Sequence, residues 1–161
     1  MRTIQVQPLQ QDTFAPYGNI VDGIINQAAP TEDDERLLTW LKGAELPSFQ
    51  GDGLAVYLVT KHRKFVVSQL EVHRVCAPLI VPVSGTAFIP VAASKENSDP
   101  DIDTMAAFIL EQGQAVVLHP GIWFVVPYPM GKRAEYIFVI RKSTPSMDTR
   151  LLSIEPVSIS I

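Results

Sequence analysis

An all-β barrel is the fold this sequence predicts, and three observations predict it. Short β-branched and aromatic runs recur along the chain at roughly ten-residue spacing, the rhythm of a sandwich or barrel. Gly and Pro break those runs, and the 13 prolines belong in loops and strand edges, not in helix interiors. Hydrophobic residues are 47% of the 161 and charged residues 19%, enough apolar material for one core without disulfide or metal staples. The length fits one domain over residues 1–161.

The elements follow in order. Strands are expected over residues 3–7, 20–24, 54–60, 65–73, 79–82, 86–92, 106–110, 115–118, 123–126, 135–140 and 151–156. A short helix over 10–14 stops before Pro16, because the residue preceding proline avoids the α region. A second helix is expected over 31–42. Thr31 would cap it, acids fill its first turn, Leu37, Leu38 and Leu41 share a side, and Gly43 stops it. Residues 94–103 are polar, carry Pro100 and read as a surface loop. The apolar tail over 154–161 alternates like a strand that wraps the barrel or is exchanged with a neighbouring subunit.

Several function classes drop out. The net charge is -4 and the longest basic run is Lys61-His62-Arg63-Lys64, so nucleic acid is not an expected partner. No apolar run approaches the length of a membrane span, and the first ten residues do not read as a secretory signal; a cytoplasmic protein is expected. The single cysteine, Cys76, excludes an internal disulfide and a multi-cysteine metal cage. It has no histidine at a catalytic spacing and reads as a small buried hydrophobe. Walker, dinucleotide and nucleophile-elbow motifs are absent.

What remains is the spacing of a few polar residues. Glu71-Val72-His73 is followed after four residues by Pro78 and after six more by Gly85. Gly113 is followed after five residues by His119-Pro120-Gly121 and after two more by Phe124. Alternate residues of a strand share a face, so Glu71 and His73 point the same way, and the glycines turn the chain to bring a second hairpin opposite. These frames resemble the two motifs of the cupins, which implies a cupin-type double-stranded β-helix, a jelly-roll barrel.

One family within that fold is more similar. Leu70-Glu71-Val72-His73, Ile80-Val81-Pro82 and His119-Pro120-Gly121-Ile122-Trp123-Phe124 resemble phrases of the ureidoglycolate lyases. So do Phe14-Ala15-Pro16-Tyr17-Gly18-Asn19-Ile20 and Thr104-Met105-Ala106-Ala107-Phe108. The resemblance implies cleavage of ureidoglycolate to glyoxylate and urea, and a homodimer. It also implies Glu, His, Gln and His around the barrel mouth. Here that set reads Glu71, His73, Pro78 and Phe124. Proline and phenylalanine side chains cannot coordinate, so a divalent metal would have only Glu71 and His73, with His119 as a third candidate.

The expected catalytic residues are therefore Glu71, His73 and His119, with His73 as base and Glu71 orienting it or acting as acid. Trp123, Tyr128, Lys132 and Arg133 are the expected contacts to a small carboxylate substrate or ligand. Each has a plainer reading. Glu71 and His73 would suit a solvated strand face, His119 a turn beside Pro-Gly, Trp123 and Phe124 core packing, and the basic residues a solvated loop. A second function class stays open: a non-catalytic or repurposed cupin that binds a small carboxylic or sugar acid. The loss of polar residues at Pro78 and Phe124 makes the mouth drier and suits an apolar group.

Overall fold

Period-two alternation sorts the side chains of this protein into two apolar layers. The computed structural model describes residues 1–22, 32–33, 39–40, 51–76 and 78–161. Strands β1 (Arg2–Gln7), β2 (Gly18–Asp22), β3 (Glu32–Asp33), β4 (Thr39–Trp40), β5 (Gly53–Lys61), β6 (Val66–His73) and β7 (Leu79–Ser84) form the first half. Strands β8 (Ala87–Ala92), β9 (Ala106–Leu110), β10 (Gln114–Leu118), β11 (Trp123–Phe124), β12 (Tyr128–Pro129), β13 (Arg133–Arg141) and β14 (Thr149–Ser160) form the second. The helices are short: α1 (Gln11–Phe14) and α2 (Thr144–Met147). The all-β expectation therefore holds. No described helix is long and apolar enough to cross a membrane.

Seven strands form one sheet in the order β11-β6-β14-β1-β9-β8-β12, and β11 also pairs with β8. The ring β11-β6-β14-β1-β9-β8 is thereby closed, which removes its free edges. One apolar cluster draws on all six strands of the ring, through Val6, Leu70, Phe88, Ala107, Trp123 and Val157. The other faces of the same strands meet a five-stranded sheet, β2-β10-β7-β13-β5. That contact is the second cluster, with Ile89, Phe108 and Phe124 from the ring against Ile80, Val116 and Tyr136 from the sheet. Each wholly buried side chain of this size contributes about 1.5–3 kcal/mol relative to exposure. Gly85 turns β7 into β8 at φ +77, and a Cβ there would lie 2.7 Å from the Arg133 carbonyl. Only glycine meets both demands.

One expectation is corrected. Within the span read as a helix, 31–42, the described residues are β3 and β4, which pair antiparallel through Glu32 with Trp40 and Asp33 with Thr39. The rest of that span, and residues 23–24 of the second expected strand, lie outside the described residues. The tail over 154–161 belongs to a strand that wraps the barrel, one of the two placements expected for it. β14 lies inside the ring's sheet, antiparallel to β6 and parallel to β1 of its own chain. Its two neighbours satisfy both of its edges, and that is why the tail carries alternating apolar residues.

Candidate functional site

The site begins with alternation on β6. Leu70 and Val72 enter the ring's own cluster, so Glu71 and His73 face the other way, toward the five-stranded sheet. The register brings neighbours to both sides. On one side Thr149 of β14 lies opposite His73 and Leu151 opposite Glu71. On the other, Phe124 of β11 lies opposite Glu71. Glu71 Oε1 stands 3.2 Å from His73 Nε2. Glu71 is 27% exposed and His73 6%, so the carboxylate is the open member of the pair. Phe124 meets the imidazole edge-on, with ring centroids 5.2 Å apart.

The pair borders a cleft of about 300 Å³. Its opposite wall is Val56 and Leu58 of β5 with Phe138 and Ile140 of β13, closed by Val126; Thr149 stands beside His73. Beneath Phe138 lies Tyr136, whose hydroxyl meets Thr60 Oγ1 at 3.3 Å. Burial pushes the Tyr136 phenol up, which keeps it neutral.

Hydrogen bonding narrows what the pair can do. A neutral imidazole donates from one nitrogen only. Donating Nε2–H to the Glu71 carboxylate satisfies that nitrogen and leaves Nδ1, buried and without a partner among the described residues, as a bare lone pair. An orphaned lone pair is a smaller penalty than an orphaned N–H. The turn after His73 is fixed from outside. Asp148 accepts from the backbone N–H of Arg74 at 2.9 Å, of Val75 at 3.1 and 3.0 Å, and of Cys76 at 3.0 Å. The His73 carbonyl accepts from Gly121 N–H at 2.8 Å, and Gly121 holds φ +84.

The other expected residues lie elsewhere. His119 Nε2 meets the Ala15 carbonyl at 3.1 Å, and the His119 backbone N–H donates to the Tyr17 carbonyl at 2.8 Å, tying the turn to the N-terminal segment. Trp123 is buried in the ring's cluster, with the Arg150 guanidinium 5.4 Å from its ring. Tyr128 donates to the Val66 carbonyl at 2.9 Å and lies 3.8 Å from the Arg63 guanidinium. Lys132 is exposed, and Arg133 pairs with Glu135 on the outer face of β13. None of these five lines the cleft. The residues missed were its walls. Val56 and Leu58, and Phe138 and Ile140, stand two apart on their strands, so inward alternation was the signal available for them.

A metal does not fit this donor set. Pro78 is buried in the fold, with its carbonyl accepting from Leu118 N–H at 3.1 Å, and Phe124 offers His73 an aromatic ring. Among the described residues no three His, Cys, Asp or Glu side chains converge on one point. A catalytic divalent ion needs about three protein ligands, and the pair supplies two.

Comparison with known proteins gives a consistent family. The chain is 27% identical over 154 residues to the ureidoglycolate lyase of Pseudomonas syringae pv. tomato, covering 89% of this chain and 86% of that one. It is 27% identical over 155 residues to the ureidoglycolate lyase of Pseudomonas fluorescens strain Pf-5, covering 89% and 87%. Among solved structures, the vicilin of Solanum melongena is similar at 11% identity and a TM-score of 0.45, covering 92% of this chain and 33% of that one. The sequence model of the family described as ureidoglycolate lyase matches residues 1–160, and the chain belongs to that family.

Proposed function

We propose that this protein is a carbon–nitrogen lyase that cleaves ureidoglycolate to glyoxylate and urea, with Glu71 and His73 as its acid–base pair. The observation that carries this reading is the 3.2 Å Glu71–His73 contact on the wall of a cleft. The reaction is a retro-addition. The carbinol hydroxyl loses its proton as its oxygen becomes the aldehyde carbonyl. The C–N bond breaks, its electron pair goes to nitrogen, and that nitrogen takes a proton. Because hydroxyl and nitrogen sit on one carbon, a single carboxyl group can take the first proton and return it. Glu71 is the more open group, so we assign it the transfer, with His73 orienting it through Nε2–H. This reverses the roles the motif alone suggested. No step is routed through a metal.

A second reading is binding without turnover. Phe124, packed on His73 where the family resemblance implies a polar ligand, favours it.

Glyoxylate release from ureidoglycolate, measured in chelator and with added divalent metals, separates the two. Release in chelator is expected to fall about 10²–10⁴-fold in Glu71→Gln, which keeps an acceptor for His73 but cannot take a proton. No release above background in any metal, or an unchanged rate in Glu71→Gln, rules out the lyase reading.

A further inference from the structure

We propose that Arg63 is the substrate-binding residue that holds the carboxylate of ureidoglycolate, and that it makes the cleft prefer the acid over the corresponding amide. This rests on the reading that Glu71 and His73 are the reacting end. Arg63 lies in the turn between β5 and β6, within the basic run Lys61-His62-Arg63-Lys64. The other three residues of that run are exposed, and Arg63 alone is half-buried. Its guanidinium lies 3.8 Å from the centroid of the Tyr128 ring, and Tyr128 stacks in turn on Phe88 with an interplanar angle of 3°. Arg63 Nη2 donates to the Val126 carbonyl at 2.8 Å, and Val126 closes the cleft. Those two contacts hold a long side chain in one pose, which lowers the entropy that binding must overcome.

The spacing suits an α-hydroxy acid. Phe124 lies opposite Glu71, and Val126 follows Phe124 by two residues, at most about 7 Å of chain. Glu71 and the Arg63 contact therefore flank one short stretch of the cleft's border. In ureidoglycolate the hydroxyl and the carboxylate stand on adjacent carbons, so one molecule can offer its hydroxyl to Glu71 and its carboxylate to Arg63. A second anion beside Glu71 would be costly in an apolar cleft without a counter-charge. Arg63 supplies that charge, in a planar fork of N–H groups that matches a carboxylate. Its field reaches the side chains under the cleft wall. Burial pushes the Tyr136 phenol up, and Thr60 and then Arg63 draw it part of the way back.

The test uses two inert relatives of the substrate that lack its hydroxyl, ureidoacetate and the neutral ureidoacetamide. Each is titrated into the whole chain by calorimetry or by NMR shifts. The parent should bind ureidoacetate about 10–100-fold more tightly than the amide, the range of a hydrogen bond to a charged group. Arg63→Met keeps a stem on Tyr128 and removes the charge, so it should erase that preference and leave the amide's affinity unchanged. Arg63→Lys should recover part of the preference. An arginine that only braced Val126 would, when replaced, weaken both ligands alike. Equal losses for the two ligands in both variants, a parent that does not prefer the acid, or no binding of ureidoacetate by the parent overturns the proposal. Glyoxylate release judges the lyase reading separately. Turnover that depends on Glu71, with the same KM for ureidoglycolate in Arg63→Met as in the parent, would sink the Arg63 assignment alone.

Discussion

Glu71 and Asp148 are two half-buried carboxylates at the same end of β6, and they are treated in opposite ways. Asp148 accepts four hydrogen-bond contacts from three successive backbone amides. Among the described residues Glu71 has one partner, a histidine, and it faces an apolar cleft. Saturation by amides fixes the backbone around the carboxylate and leaves little capacity for another donor. An under-partnered carboxylate keeps the capacity to accept a proton from a visitor. The comparison therefore separates a carboxylate that shapes the site from one available for chemistry.

The sharpest way to break the contrast is to give Glu71 more partners. Phe124→His places an imidazole opposite Glu71 and beside His73. Three donors then face one another, enough for a zinc ion. Without metal the variant should lose about 3 kcal/mol, since a fully buried aromatic ring is replaced by a smaller polar one. Zinc should raise its melting temperature and leave the parent unmoved. A variant indifferent to zinc would show that Phe124 is not what keeps the pair metal-free.

The converse change strips Asp148 of its role. Asp148→Ala leaves the Arg74 and Val75 amides to water and the Cys76 amide beside a buried side chain, at a cost of about 1.5–3 kcal/mol. Glu71→Gln should stay within about 0.5 kcal/mol of the parent, because its partner is kept. Urea unfolding of the two variants checks this. Equal losses would dissolve the distinction between them. Asp148 also precedes Thr149, which pairs with His73, so its loss should loosen the cleft wall before it unfolds the chain.

Much of this was legible in the sequence, for identifiable reasons. Glu71-x-His73 had to share a face once β6 was a strand, and Gly85 and Gly113 marked the turns by their positive φ values. What was not legible depended on register. Trp123 and Phe124 are adjacent, so one must enter each layer. Only the pairing of Phe124 with Glu71, and of Trp123 with Val72, decides which one meets His73. His119 finds its acceptor at Ala15, 104 residues away. The Asp148 cradle is made of backbone amides, which carry no residue signature. The β3–β4 pair is two residues on each side, too short for any period.

Glu135 offers a third kind of carboxylate, and the smallest expected effect. On the outer face of β13 it is saturated by side chains: the Tyr57 hydroxyl, Arg133 and Ser84. The Tyr57 hydrogen bond, and then Arg133, hold its carboxyl below the ordinary carboxylate range. A folded-state pKa below the unfolded one stabilises the fold above the unfolded value, and that contribution is lost as pH falls through the folded value. Tyr57→Phe removes the largest cause while barely touching packing, because Tyr57 is 56% exposed. The variant should be less stable than the parent at pH 7, by less than Asp148→Ala, and the gap should close in acid once Glu135 is protonated in both. Urea midpoints at the two pH values read this directly. A gap that persists in acid would mean the tyrosine acts through its ring and not through the carboxylate.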